Sequence, residues 1–274
     1  STQGYSSAAS DVYKRQINNF LVFKFWAGDE LAYMMPVGEG NLEETLNELI
    51  EDARQEGEPF CMLGVCSNMR ADLEAILPER FIFTEDRAYA DYIYLRSDLA
   101  TLKGKKFQAK RNHINRFRNT YPDYEYTPIT PDRIQECLDL EAEWCKVNNC
   151  DQQEGTGNER RALIYALHNF EALGLTGGIL HVNGKIVAFT FGMPINHETF
   201  GVHVEKADTS IDGAYAMINY EFANRIPEQY IYINREEDLG LEGLRKAKLS
   251  YQPVTILEKY MACLKEHPMN MVKW

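Results

Sequence analysis

GGILHVNGKIVAFTFGM, residues 177–193, decides how the chain folds. Two apolar runs flank Asn183 and Gly184, a pair favoured in type I′ turns because both central residues take positive φ, so the segment reads as a β-hairpin. Downstream, 199–205 adds a strand and a polar loop over 206–212 opens a helix over 213–226. A strand over 230–234, a turn at Gly240, a helix over 241–249 and a long strand over 254–264 follow. Upstream lie a strand over 124–128 and a helix running to 147, with Thr130 as N-cap and Pro131 at its first position. A further helix over 159–173 is closed by Gly174. The order over 124–264 is therefore strand, two helices, hairpin, strand, helix, strand, helix, strand.

Residues 30–96 repeat the order of 198–264. NFLVFKFW (19–26) pairs with ELAYMMPV (30–37) across a turn at 27–29. A helix over 42–55 has Asn41 as N-cap with Glu44 at capping-box spacing, and Leu42, Leu46, Leu49, Ile50 and Ala53 share one face. A buried-type strand over 60–65, a short helix over 69–77 capped by Ser67 or Asn68, and strands over 80–84 and 91–96 complete it. A recurring order with little shared sequence implies two copies of one architecture, the first shortened at its N-terminus. The expected division is a disordered or non-native lead over 1–16, a first domain over 17–100, a basic linking helix over 101–122 and a complete second domain over 123–274. The fold class is α+β or α/β, with mixed sheets flanked by helices.

The chain has 274 residues, 45% hydrophobic and 26% charged, which excludes a wholly disordered chain. It holds no apolar run of about 18 residues that would span a bilayer, and its first residues show no secretory pattern, so a cytoplasmic location is expected. The six cysteines, Cys61, Cys66, Cys137, Cys145, Cys150 and Cys263, lack a metal-ligand spacing and read as reduced, largely buried thiols. The net charge is −12, yet residues 103–118 (KGKKFQAKRNHINRFR) carry seven bases and no acid, which leaves 22 − 41 = −19 elsewhere. A cationic element on an anionic body points to one polyanionic partner.

KRNHINRF (110–117), HVEKAD (203–208), GAYAMIN (213–219) and NREEDLGLEGLRKAKLSY (234–251) together resemble the phosphatidylglycerol lysyltransferase C-terminal-domain family. The resemblance spans residues 19–264. It implies two tandem GNAT-like (acyl-CoA N-acyltransferase-like) domains, related to enzymes that move aminoacyl groups from charged tRNA.

In the basic helix, Phe107, Ile114, Phe117 and Tyr121 form one stripe, and Lys110 lies inside it. Either Lys110 snorkels outward, or Lys110 and Arg111 enter a cleft between the halves and meet phosphate or carboxylate. Asn112 and His113 continue that motif as substrate-binding candidates. At the end of the strand over 199–205, Glu205 is the candidate base, with His203 second and Lys206 grouped with the substrate. Glu205 could instead simply pair with Lys206 or Arg235. The next loop supplies only Gly213 to a diphosphate, and its aspartates would repel one, which disfavours acyl-CoA. Asn234, Arg235, Glu236, Asp238, Arg245 and Lys248 are substrate-binding candidates at a strand's carboxyl end, where the acids could hold the ammonium of a cationic substrate; the structural alternative is that the acids cap the helix and Arg245 and Lys248 pair with them. Tyr251 sits where the GNAT resemblance implies a tyrosine that protonates the leaving group.

The expected function is transfer of an aminoacyl group from an aminoacyl-tRNA-type donor to an amine or hydroxyl, with a small molecule or lipid headgroup as acceptor. No cofactor or metal is required, because the donor ester is already activated. The alternatives are a non-catalytic module that binds an anionic ligand or RNA end, and a CoA-dependent N-acetyltransferase.

Overall fold

The computed structural model describes residues 12–27, 30–148 and 156–265. It divides into two compact units, Ser1–Ala90 with Leu257–Trp274, and Asp91–Ile256.

The first unit is a sheet with two helices. Its strands are β1 (Tyr13–Ile17), β2 (Phe20–Ala27), β3 (Glu30–Met34), β4 (Val37–Gly38), β5 (Cys61–Cys66), β6 (Phe81–Glu85) and β14 (Lys259–Leu264). They lie in the order β1-β2-β3-β5-β14-β6, with β4 on β2. Helix α1 (Leu42–Glu56) starts as its sequence prescribes: the Asn41 side chain accepts the Glu44 N–H, and Gly57 closes the helix at φ +79°. Its buried Leu46, Leu49 and Ala53 pack with Tyr33, Phe60 and Met62 from the sheet. Helix α2 (Ser67–Ile76) takes Cys66 as its N-cap, without a side-chain bond, in place of the expected Ser67 or Asn68.

The second unit holds β7 (Asp91–Leu95), β8 (Glu125–Pro128), β9 (Thr176–Val182), β10 (Lys185–Pro194), β11 (Thr199–Ala207), β12 (Tyr232–Asn234) and β13 (Thr255–Leu257). They form one sheet in the order β13-β7-β12-β11-β10-β9-β8. Its helices are α3 (Arg96–Thr101), α4 (Gln108–Thr120), α5 (Ile134–Asn148), α6 (Thr156–His168), α7 (Ala214–Ala223) and α8 (Glu242–Leu249). The deciding hairpin is β9–β10, with Asn183 at φ +52° and Gly184 at φ +72°. Phe107, Ile114 and Phe117 of the basic segment are buried with Met217, Ile218 and Phe222 of α7.

Several expectations change. The lead is not wholly unstructured: Tyr13–Ile17 pairs antiparallel with β2, where Ile17 is buried opposite Phe20 and the other four residues stay exposed, while 1–11 lie outside the described residues. The turn positions 28 and 29 and most of the loop over 148–158 lie outside them too. The unit boundary falls at Ala90 rather than after 100, since Asp91–Leu95 hydrogen-bonds to β12, and the basic helix packs within the second unit rather than linking two. The long terminal strand is two: Thr255–Leu257 edges the second sheet, and Lys259–Leu264 pairs with β5 and β6 in the first. That return places Cys263 directly opposite Cys61, Cα to Cα 4.2 Å, and the two form a disulfide rather than reduced thiols. The helix expected over 159–173 ends at His168, and Gly174, at φ +64°, closes the turns that follow it.

Candidate active site where two parallel strands part

Strands β11 and β12 run parallel and stay in register only as far as Gly201 opposite Asn234. Beyond it the backbones separate, and side chains bridge the gap in place of ladder bonds. On the β10 side the register slips: Phe191 faces Val204 but Gly192 faces Val202, so His203 is the extra residue of a β-bulge. Gly192 is obligatory there, because a Cβ would lie 1.8 Å from the Gly201 carbonyl oxygen. The alternation that would put His203 and Glu205 on one face by simple period is thus interrupted, yet both reach the segment that follows Asn234.

Two pairs cross the gap. The Arg235 guanidinium donates from Nε and Nη2 to Glu205 Oε2 at 2.8 and 2.6 Å, while Asn219 of α7 donates to Oε1 at 3.2 Å. His203 Nδ1 lies 2.6 Å from Glu236 Oε1. Arg235 stacks 4.8 Å from the Tyr251 ring centroid and 5.5 Å from that of Tyr94, and Lys110 stands 3.9 Å from the Tyr251 centroid. Burial and the Arg235 charge pull the Lys110 ammonium down to about 8, partly offset by Glu205. Glu205 instead holds Arg235 firmly charged against a large burial penalty. Burial also pushes the Tyr251 phenol up to about 12, so it stays protonated. Among the described residues Arg235 Nη1 and Asn219 Oδ1 are enclosed without a hydrogen-bond partner. Such groups cost free energy unless something satisfies them.

The scaffold beneath the pairs is over-determined. Glu236 takes φ +56°, a conformation most side chains avoid. Its N–H is bound by Asn234 Oδ1 at 2.7 Å and its carbonyl by the Tyr92 N–H at 3.1 Å. Lys248 Nζ donates to the carbonyls of Arg235, Glu236 and Glu237. Burial and Arg235 pull Lys248 down to about 8.

The sequence-derived candidates therefore separate into two groups. Lys110, Glu205, Arg235 and Tyr251 gather around one ion pair, His203 and Glu236 form a second pair across the same two segments, and Lys248 clamps the backbone between them. Arg111, expected beside Lys110, bonds the carbonyls of Leu102 and Gly104, so it holds the entry to α4. Asn112 is exposed, and His113 lies 3.9 Å from Asp212. Lys206 turns onto Trp144, 3.7 Å from its ring centroid. Asn234 is engaged by Asp91 as well as by the Glu236 N–H. Asp238, fully buried, takes two bonds from Arg245 and one from Tyr92, so neither it nor Arg245 is available to a substrate. Arg245, Tyr92 and the Gly240 N–H hold its carboxyl far below the usual carboxylate range. Gly213 caps α7 at φ +86°, and a Cβ there would lie 3.1 Å from the His113 carbonyl oxygen, so the close approach of α4 and the positive φ both favour glycine. Sequence reasoning missed Asn219 and Tyr94. The visible signal for Asn219 was a lone amide within the apolar run AYAMINYEFA.

A mixed sheet whose parallel strands part over ionisable side chains, with a smaller sheet-and-helix unit ahead of it, defines a tandem GNAT-like protein. A tandem GNAT protein from the clavulanic acid biosynthesis pathway aligns with a TM-score of 0.50 and 10% identity, over 92% of this chain and 80% of that one. Within that class the chain belongs to the phosphatidylglycerol lysyltransferase, C-terminal family, whose model matches residues 5–263. L-PGS from Bacillus licheniformis shares the fold, with a TM-score of 0.69 and 17% identity over 97% of this chain and 89% of that one. A conserved protein of unknown function from Bacteroides thetaiotaomicron VPI-5482 is 91% identical, with a TM-score of 0.91 over 93% and 86% of the two chains. An uncharacterized protein of Mycoplasmoides gallisepticum is 25% identical over 177 residues, which is 55% of its length. Among the described residues no helix is long and apolar enough to cross a membrane.

Proposed function

We propose that this protein transfers an aminoacyl group from an activated ester, of the aminoacyl-tRNA type, to a hydroxyl or amine on a small molecule or lipid headgroup. Family membership supports an aminoacyl-transferase-like role. The observation that carries the reading is the enclosed Arg235 Nη1, without a hydrogen-bond partner among the described residues, with the Lys110 ammonium near enough on the Tyr251 ring to feel the Arg235 charge. Two fixed positive donors with one unmet hydrogen bond suit the oxygen that gains charge when an ester carbonyl is attacked. An ester donor is already activated, so positioning and charge stabilisation are what the protein must supply. The reading requires the cytoplasm, where charged tRNA is made.

The CoA reading is disfavoured by the loop before α7. The Asp208 carboxylate accepts from the Ser210 N–H at 2.8 Å and that of Asp212 from Arg116 at 2.7 Å, and two acids in this loop would repel a diphosphate brought to it.

The test incubates the protein with a panel of radiolabelled aminoacyl-tRNAs, or with acetyl-CoA, and with hydroxyl and amine acceptors including anionic lipid vesicles. Label moving from at least one aminoacyl-tRNA to an acceptor, with acetyl-CoA inert, is expected. Acetyl transfer, or no donor consumed above the background of spontaneous hydrolysis, contradicts the proposal.

A further inference from the structure

We infer that His203 accepts the proton of the attacking hydroxyl or amine, and that Glu236 holds its ring in the tautomer that leaves Nε2 free to do so. This assignment rests on the aminoacyl-transfer reading and replaces Glu205, the base expected from sequence. Glu205 has both oxygens occupied by Arg235 and Asn219 and serves as the counter-ion of a buried guanidinium. Taking a proton there would leave Arg235 charged and uncompensated, which is costly in an enclosed site.

Four observations converge on His203. It is the extra residue of the β11 bulge, a device that re-aims one side chain. Gly201 leaves room for the ring: a Cβ there would lie 3.2 Å from His203 Cε1. Nδ1 lies 2.6 Å from Glu236 Oε1, a geometry in which the neutral ring donates Nδ1–H to the carboxylate and keeps its lone pair on Nε2. The imidazole remains about one-third exposed, within reach of an entering acceptor. Glu236 in turn occupies its strained backbone conformation only because Asn234, Tyr92 and Lys248 pin it. A carboxylate held at that cost beside an imidazole is arranged to stabilise the imidazolium that forms.

The acceptor heteroatom bonds to the ester carbonyl carbon and its proton moves to His203 Nε2. As the tetrahedral species collapses, the bond from carbon to the ribose oxygen breaks and that proton passes to the departing oxygen. The product is the acylated acceptor and a free ribose hydroxyl.

The experiment compares wild type, His203→Ala, His203→Gln and Glu236→Gln in the transfer assay, with ¹⁵N NMR of the histidine rings as an activity-independent readout. We expect His203→Ala to lower kcat by about 10²–10⁴-fold with the donor KM little changed, and added imidazole to restore part of the rate. Glu236→Gln should lower kcat without weakening donor binding. The wild-type ring should show Nδ1 protonated and Nε2 bare, and Glu236→Gln should lose that preference. Wild-type transfer left unchanged by both His203 variants, or a ring protonated at Nε2, overturns the dyad alone. A wild-type chain inert toward every aminoacyl donor overturns the transfer reading and the base assignment with it, while the NMR measurement still decides whether the dyad exists.

Discussion

Lys110 occupies the apolar stripe of α4, and the tension between its burial and its charge is measurable. Its ammonium titrates near 8 in the fold against an ordinary 10.5. Between those values the unfolded chain binds a proton that the folded chain has released, so stability gains as pH rises through the window. Lys248 contributes with the same sign. The stability of wild type minus that of Lys110→Met should therefore grow in favour of wild type from pH 7 to 9.5, as read by urea unfolding. Affinity for an anionic donor should move the other way, falling as the ammonium is lost above about pH 8, whereas Lys110→Arg should keep its affinity there. Glu205 gives a complementary prediction. With side chains only 13% and 11% exposed, it and Arg235 form a buried pair. Glu205→Gln should lower the unfolding free energy by about 3–5 kcal/mol, and a change under 1 kcal/mol would mean that the pair is solvated.

At the scale of elements, the site depends on an irregularity in β11 more than on any regular stretch. Gly192→Ala should destabilise the second unit by about 1–3 kcal/mol, because the new Cβ cannot coexist with the Gly201 carbonyl at 1.8 Å. Denaturant unfolding checks this, and a neutral result would show that the bulge can shift. The same irregularity explains what could be read in advance. The β9–β10 hairpin, α1 with its Asn41 cap, and the apolar stripe of the basic helix were legible because each follows from local chemistry or helical period. The priority of His203 over Glu205 was not, since strict alternation treats them alike and only Gly192 and Gly201 inside strand runs hinted at a bulge. Arg111 was expected beside Lys110, and for Asp238 both a substrate role and pairing with its neighbours were open, because charge on a helix or loop says nothing about which carbonyl or guanidinium will claim it. The residues from Val254 to Leu264 read as one strand because no glycine or proline marks the change of sheet at Glu258.

On the scale of the whole chain, the candidates that assemble all lie between Asp91 and Ile256. The first unit carries its own structural closure in the Cys61–Cys263 disulfide, which joins residues 202 apart in sequence. Constraining so long a loop in the unfolded chain predicts that reduction lowers the first unit's stability by about 2–5 kcal/mol, seen as a lower urea midpoint in dithiothreitol and copied by Cys263→Ser. An unchanged midpoint would mean that the strand pairing alone suffices. Reducing compartments keep such pairs open, so this difference is also the stability margin the protein would give up in the cytoplasm. The most direct test of the account is a crystal structure with a non-hydrolysable aminoacyl-adenosine amide. The account predicts the amide carbonyl oxygen within hydrogen-bond distance of Arg235 Nη1, and its carbon in the gap facing His203 Nε2. A ligand seated elsewhere, with Arg235 Nη1 still unpartnered, would contradict it.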